Sequence, residues 1–238
     1  MNEVERDAFN GWALTPRFSR KVEQASRIIE EALKIGPAYV ACSWGKDSIV
    51  MLHIAQRIMP NIRVVHFSDA RQDMLDNYSE VINEYTTRFP INYLDLQLGG
   101  DRVPHNVARA KLWEEFAVAI VGVRKEESNK RKIIIAQYGT IHQYTSGKQK
   151  GSWRAYPLAF FSWQDVWSYI VRFNLPYLKS YDHPGNQNRS LSRTCVRVAV
   201  NKRNPSAMQF GRIAYIRQFA PEYWHYLAEF YPEITAHS

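Results

Sequence analysis

Cysteine is scarce in this chain: its 238 residues hold two, Cys42 and Cys195. Two thiols exclude a disulfide framework of the secreted kind, and they exclude any centre held by four thiolates, an iron–sulfur cluster included. Long apolar runs are missing as well. Nothing approaches the roughly 20 consecutive apolar residues of a membrane span, so no membrane association is expected. The N-terminus, Met1-Asn2-Glu3-Val4-Glu5-Arg6-Asp7, is acidic and polar and reads as no secretory signal. A reducing cytoplasm is the expected compartment. Acidic residues disappear over one long stretch. From His183 to Pro221 there is no Asp or Glu, while Arg189, Arg193, Arg197, Lys202, Arg203, Arg212 and Arg217 all fall there. With a net charge of +8, such a field attracts polyanions, either a nucleotide or a nucleic acid; a merely solvated basic face has the same composition. No internal repeat or low-complexity tract is visible.

What the chain does have is the material of a full core. Hydrophobic residues make up 45% and charged residues 23%, the balance of a soluble globular protein. The length suits one α/β domain over residues 1–182 with a basic, mostly helical C-terminal extension, 183–238, packed on the same domain. The most informative segment is Ser43-Trp44-Gly45-Lys46-Asp47-Ser48. An apolar stretch, Ala38 to Cys42, precedes it and is short enough for a buried strand. A segment with helical apolar spacing follows, from Ile49 toward Pro60. Strand, polar loop and helix together are the construction that binds phosphate, because free N–H groups and the helix dipole favour an anion at a helix start. The hydroxyls of Ser43 and Ser48 and the ammonium of Lys46 complete such a cradle. The Gly, Lys and Ser spacing is wrong for a Walker A loop.

The remaining pattern alternates. A helix is expected over Val22–Ile35, closed by Gly36-Pro37, after a polar leader from which Trp12, Leu14 and Phe18 reach the body. Strands are expected at Ile62–Phe67, Ile91–Leu96 and Phe116–Val121, and helices at Met74–Arg88 and Pro104–Glu115. This order predicts a doubly wound, mainly parallel sheet with ligands above the carboxyl ends of its strands. Ser43, Asp69 and Gly122 all sit at such ends. Ser162 with Asp165 forms a helix N-cap of the capping-box kind ahead of the apolar stripe Val166, Trp167 and Ile170.

The hexapeptide resembles the S-G-G-K-D-S pyrophosphatase loop (PP-loop) of the adenine-nucleotide alpha-hydrolase superfamily, whose enzymes split ATP between the α and β phosphates. Five of six positions match, and Trp44 replaces the first glycine. Phosphoadenosine-phosphosulfate reductases often carry a bulky residue there. A second element, Gly122-Val123-Arg124-Lys125-Glu126-Glu127-Ser128 with Arg131, is similar to the G-[IV]-R-x-x-E-S-x-x-R element of those reductases and of the bacterial ATP sulfurylase small subunit. A third runs from Tyr156-Pro157-Leu158 through Trp163–Ile170 to Pro176-Tyr177 and Tyr181-Asp182, and is read as mostly structural. Together the resemblance spans residues 38–182, about 60% of the chain.

The resemblance implies a Rossmann-like fold of the PP-loop/HUP type, with ATP or a related adenine nucleotide held by Ser43, Trp44, Gly45, Lys46, Asp47 and Ser48. It places adenine near Phe67, Ser68 and Asp69, and assigns further nucleotide contacts to Gly122, Arg124, Glu127, Ser128 and Arg131. Lys46, Asp47 and Arg124 are the expected catalytic groups, and Asp47 and Asp69 the expected ligands of Mg²⁺. The departures concern redox chemistry. The family's E-C-G-[IL]-H motif is missing from these residues, and no iron–sulfur cluster is expected. Cys195, between Arg193 and Arg197, is either a packed thiol or an activated one; Cys42 is read as core. Three readings follow. One is an ATP pyrophosphatase or adenylyl-transferring enzyme. A second is a sulfonucleotide reductase using Cys195. The third is a nucleotide-binding module acting on nucleic acid through its basic C-terminal segment. The acceptor, and any protein partner or homo-oligomer, stay open.

Overall fold

The computed structural model describes residues 1–68, 76–96, 105–182, 216–230 and 235. Asp69, Cys195 and the basic run from Arg189 to Arg212 lie outside the described residues. The N-terminal leader, for which the sequence pattern gives no element before Val22, is helical. Helix α1 (Glu3–Ala13) starts with a reciprocal cap, in which Asn2 and Glu5 each accept the other's backbone N–H. Helix α2 (Pro16–Ile35) begins at Thr15, whose hydroxyl accepts from the Phe18 N–H, with Pro16 pre-set for the first turn. The leader's charge concealed these local caps. Trp12 and Phe18 reach the body as expected, while Leu14 is 77% exposed.

The rest alternates as the pattern predicts. In order come β1 (Ala38–Ala41), α3 (Lys46–Ile58), β2 (Arg63–His66), α4 (Tyr78–Arg88), β3 (Asn92–Asp95), α5 (His105–Glu115) and β4 (Val118–Val121). Then follow a short 3₁₀ turn at Lys125–Glu127, α6 (Asn129–Tyr138), β5 (Ile141–Gln143), β6 (Trp153–Ala155), α7 (Trp163–Phe173) and α8 (Pro221–Phe230). The strands β5 and β6 escape the sequence pattern, because three residues each are too few to display a period. The sheet order is β3-β2-β1-β4-β6-β5, parallel throughout except for β5 against β6.

Both sheet faces are covered, as a parallel sheet requires. Tyr39, Val65 and Ala119 pack with Leu112 and Phe116 of α5 and its end. Their neighbours Val40, Val64 and Ile120 point the opposite way and are fully buried, on the side where α2 and α3 pack against β4 and β1. The chain runs from β1 outward through β2 and β3, then returns to β4 on the other flank of β1. The sheet therefore changes direction between β1 and β4, which opens a crevice at their carboxyl ends. No helix among the described residues is long and apolar enough to cross a membrane.

The chain forms two compact units, residues 1–69 with 81–177, and residues 70–80 with 178–238. In the second, Asn77 accepts from the Lys179 N–H at 2.8 Å and Glu80 pairs with the Lys179 ammonium at 2.7 Å. Tyr223 and Leu227 supply the buried side of α8.

One polar knot fastens the helical leader to the first unit. The Asp165 carboxylate is fully buried and accepts from Trp12 Nε1 at 2.8 Å, from the Ser162 N–H and hydroxyl, and from the Lys21 ammonium. Burial alone would raise its pKa, but these donors outweigh it and hold the carboxyl below its ordinary range. Removing one member of a buried pair leaves an uncompensated group, so Asp165→Ala is expected to cost about 3 kcal/mol in urea unfolding. Because the folded pKa is depressed, this contribution is present above the unfolded value and disappears as pH falls through the folded one. Wild type should therefore converge on the variant in acid. Parallel stability curves for the two down to pH 3 would refute the role.

Candidate functional site

The loop after β1 is built around an unusual tryptophan. Trp44 adopts positive φ (56°), a conformation costing roughly 1–2 kcal/mol for a side chain other than glycine. Its indole is completely buried beneath the loop, edge-on to His66, Tyr85 and Tyr93, and Nε1 donates to the Tyr93 hydroxyl at 3.3 Å. Packing a side chain this large contributes about 3–5 kcal/mol, judged by truncation, so packing wins over backbone strain. Trp44 thus faces the core and leaves only its backbone on the loop's outer side.

Gly45 caps α3 without a side-chain hydrogen bond. The first helical N–H to find an intrahelical partner is that of Ile49, which donates to the Gly45 carbonyl at 3.0 Å. Helix geometry leaves the N–H groups of Lys46, Asp47 and Ser48 without intrahelical acceptors. Ser48 holds the turn from inside: its hydroxyl donates to the Gly45 carbonyl at 2.9 Å and accepts from the Ser43 N–H at 3.2 Å. The Ser43 and Ser48 hydroxyl oxygens are 3.3 Å apart, and Cys42 Sγ approaches Ser48 Oγ at 3.7 Å. Cys42 is buried, as expected of a core thiol.

Across the crevice stands the loop after β4. A Cβ on Gly122 would lie 3.2 Å from the Asp47 carbonyl carbon and oxygen and 3.3 Å from Ser48 Cα. Glycine leaves room for this approach, which brings Arg124 onto α3; any side chain at position 122 would press on the backbone of α3. The Asp47 carboxylate accepts from Arg124 Nε at 2.6 Å and from the Lys46 ammonium at 2.7 Å. Lys46 and Arg124 are each only 2% exposed. Burial opposes the charge of Asp47, yet Lys46 and Arg124 outweigh it and hold the carboxyl below its usual range. Burial likewise opposes the Arg124 charge, and Asp47, Glu127 and Glu126 outweigh it to make the guanidinium harder to deprotonate.

The second signature closes on itself. Glu127 accepts the Arg124 N–H at 2.9 Å and pairs with Arg131, while Ser128 caps α6 by accepting from the Arg131 N–H at 3.3 Å. Glu126, which the sequence reading passed over, accepts from Arg124 Nη1 at 3.1 Å and from the Trp163 N–H at the start of α7 at 3.1 Å. It lies within the quoted motif, but one glutamate of a Glu-Glu pair carries no mark of its partner.

The structure thus unites Ser43, Gly45, Lys46, Asp47 and Ser48 with Gly122 and Arg124, and joins Glu127, Ser128 and Arg131 beside them. Phe67 and Ser68 follow the carboxyl end of β2, with the Ser68 N–H bonded to the Leu96 carbonyl at 3.1 Å. Among the described residues no group of three His, Cys, Asp or Glu converges to hold a metal ion. Of the two carboxylates expected to bind Mg²⁺, Asp47 already faces two cations. The described residues do not build a magnesium site of their own.

A model of the phosphoadenosine phosphosulfate reductase domain matches residues 37–186. The chain belongs to this family. Its relatives include the adenosine 5'-phosphosulfate reductase of Bacillus thuringiensis (strain Al Hakam), 27% identical over 170 residues, with 60% of this chain and 66% of that protein covered. The corresponding reductase of Bacillus cereus (strain Q1) is 30% identical over 165 residues, with the same coverage. The chain therefore spans just under two thirds of these relatives' length. Among solved structures, the phosphoadenylyl-sulfate reductase of Candida auris, a phosphate complex, aligns with a TM-score of 0.52 at 11% identity, covering 76% of this chain and 92% of that one. The FMN adenylyltransferase of Candida glabrata aligns at 0.55 and 16% identity, covering 74% and 64%. At such identities the likeness is one of fold.

Contact between the two loops depends on residue 122. Gly122→Ala would force backbone against backbone, and overpacking of this kind costs about 1–3 kcal/mol. The expected outcome is a lower urea midpoint together with a separation of Arg124 from Asp47. A wild-type midpoint would mean that the loops yield freely.

Proposed function

We propose that the protein is an enzyme that binds ATP or a close adenine nucleotide across this crevice and cleaves it between the α and β phosphates, either onto water or onto an acceptor. The observation that carries this reading is the convergence of a glycine-capped helix start, two serine hydroxyls, Lys46 and Arg124 on one spot at the carboxyl edge of the sheet. The N–H groups at the start of α3, with the Ser43 and Ser48 hydroxyls, would receive the phosphate oxygens. A nucleophile adds to the α phosphorus, the bond from it to the bridging oxygen breaks, and pyrophosphate leaves with the electron pair. Lys46 and Arg124 stabilise that growing charge, and Asp47 keeps both cations aimed at it. Adenine would lie by Phe67 and Ser68, near the end of β2. Family membership supports the binding of an adenine nucleotide, and the fold shared with a nucleotidyltransferase is compatible with the cleavage.

One finding favours a second reading. The relatives just described are reductases acting on a phosphosulfate, and Cys195, outside the described residues, supplies a thiol flanked by Arg193 and Arg197. Such a thiol would attack the sulfur of the sulfonucleotide, releasing the nucleotide and leaving a thiosulfonate for an external thiol to reduce.

Two measurements separate these readings. With ATP as its magnesium salt, wild type should release pyrophosphate, and Arg124→Lys should lower turnover by at least tenfold, because the bidentate fork is lost while the charge stays. Cys195→Ser should leave pyrophosphate release unchanged. If ATP is not cleaved, and phosphosulfate is reduced only while Cys195 is present, the reductase reading replaces the first. Calorimetry with Ser48→Ala tests the pocket itself, with ATP affinity expected to fall about tenfold as a charge-assisted hydrogen bond of roughly 1.5–3 kcal/mol disappears.

A further inference from the structure

A second basic region lies apart from the C-terminal one. Between Ser128 and Gln164 there is no aspartate or glutamate, where the chain's own average would place about three or four. The same 37 residues carry Lys130, Arg131, Lys132, Lys148, Lys150 and Arg154. β5 is an edge strand of the sheet, paired with β6, and α6 runs straight into it, with Tyr138 meeting His142.

Aromatic rings line this edge. Tyr138, at the end of α6, is 54% exposed and sits 5.7 Å from the ring of His142 on β5. His142 in turn lies 5.4 Å from both Tyr144 and Tyr156. Arg154 pairs across the strands with His142, and its guanidinium lies 5.7 Å from the rings of Tyr144 and Trp113. Lys132 and Lys150 are exposed, and the loop between the strands, with Gly147 and Gly151 at positive φ, has open space around both glycines.

We propose that this edge, formed by α6, β5 and β6, binds single-stranded nucleic acid. A basic surface attracts any polyanion, but an exposed tyrosine continued by half-buried rings and interleaved with cations matches a chain that alternates phosphates with flat bases. A duplex keeps its bases stacked on one another and gives Tyr138 nothing to stack on. An acidic polypeptide satisfies the lysines and leaves the rings unused. Arg131, at the start of α6, belongs to the ATP crevice, but Lys132, Tyr138 and Lys150 have no part in it, so the two can succeed or fail separately.

The test is fluorescence anisotropy of the full chain with labelled oligo(U) and oligo(dT) of about 20 nucleotides, at salt from roughly 50 to 200 mM. Both strands should bind, since rings and lysines do not read the 2'-hydroxyl, and affinity should fall as salt rises. Tyr138→Ala should weaken binding roughly tenfold through lost stacking. The double variant Lys132→Glu/Lys150→Glu should weaken it at least as much and flatten the salt slope by about 1.4, two single-strand phosphate contacts. ATP affinity should be unchanged in these variants. The proposal is overturned if neither oligonucleotide binds, or if the variants bind as wild type does, which would assign binding to the segment from Arg189 to Arg217. It is equally overturned if a duplex or polyglutamate binds as tightly as the single strands.

Discussion

The carboxylate of Asp47, held between Lys46 and Arg124, is the interaction on which the candidate site depends. Two cations 2% exposed would each carry a desolvation penalty of several kcal/mol if left alone. One shared counter-ion, 2.6 and 2.7 Å away, makes both tolerable. It also joins two loops that are distant in sequence. Because β1 and β4 are neighbours in the sheet, the loops that follow them open onto the same crevice, and Gly122 removes the steric obstacle between them. Topology supplies the proximity, glycine the clearance, and the ion pairs the register.

A second constraint acts from below. The hexapeptide is a surface loop in composition, yet Trp44 anchors it into an aromatic nest assembled from β2, β3 and α4 through His66, Tyr93 and Tyr85. His66 adds a hydrogen bond of 2.8 Å to the Cys42 carbonyl, just before the loop begins. A loop pinned by a buried indole has few conformations to lose on meeting a ligand. Preorganisation of this kind favours binding at the expense of local backbone strain.

Much of this was legible in the sequence, for identifiable reasons. The buried strands read clearly because both their faces are apolar, and α3 because its stripe follows a polar loop. The first two motifs gave the crevice residues by resemblance, and the close approach of Gly122 gives that resemblance a steric cause. Other features were hidden. The leader's two helices are fixed by caps at Asn2 and Thr15 and by the reach of Trp12 and Lys21 to Asp165, a contact across more than 140 positions that no local window can display. Strands β5 and β6 are too short for periodicity and form only as a pair on the flank of β4. Trp44 is expected among the loop's nucleotide contacts, and nothing in the sequence marks that its indole lies buried beneath the loop, leaving only its backbone on the outer side.

The charge inventory of the crevice explains how it can exist before any anion arrives. Lys46, Arg124 and Arg131 face Asp47, Glu126 and Glu127, so every cation of the cluster already has a carboxylate. An entering phosphate therefore meets no bare positive charge. It meets backbone N–H groups at a helix start and cations that redistribute their hydrogen bonds toward it while the carboxylates stay in place. Glu126 reaches the Trp163 N–H as well as Arg124, so movement of the arginine toward a ligand is resisted by the start of α7, and α7 in turn is fastened to the leader through Asp165. The stiffness that positions Arg124 is thus distributed over α1, α2 and α7 rather than held in its own loop. For a reaction driven by charge stabilisation this arrangement is apt, since a dipole or cation fixed in advance need not reorganise as the leaving group departs.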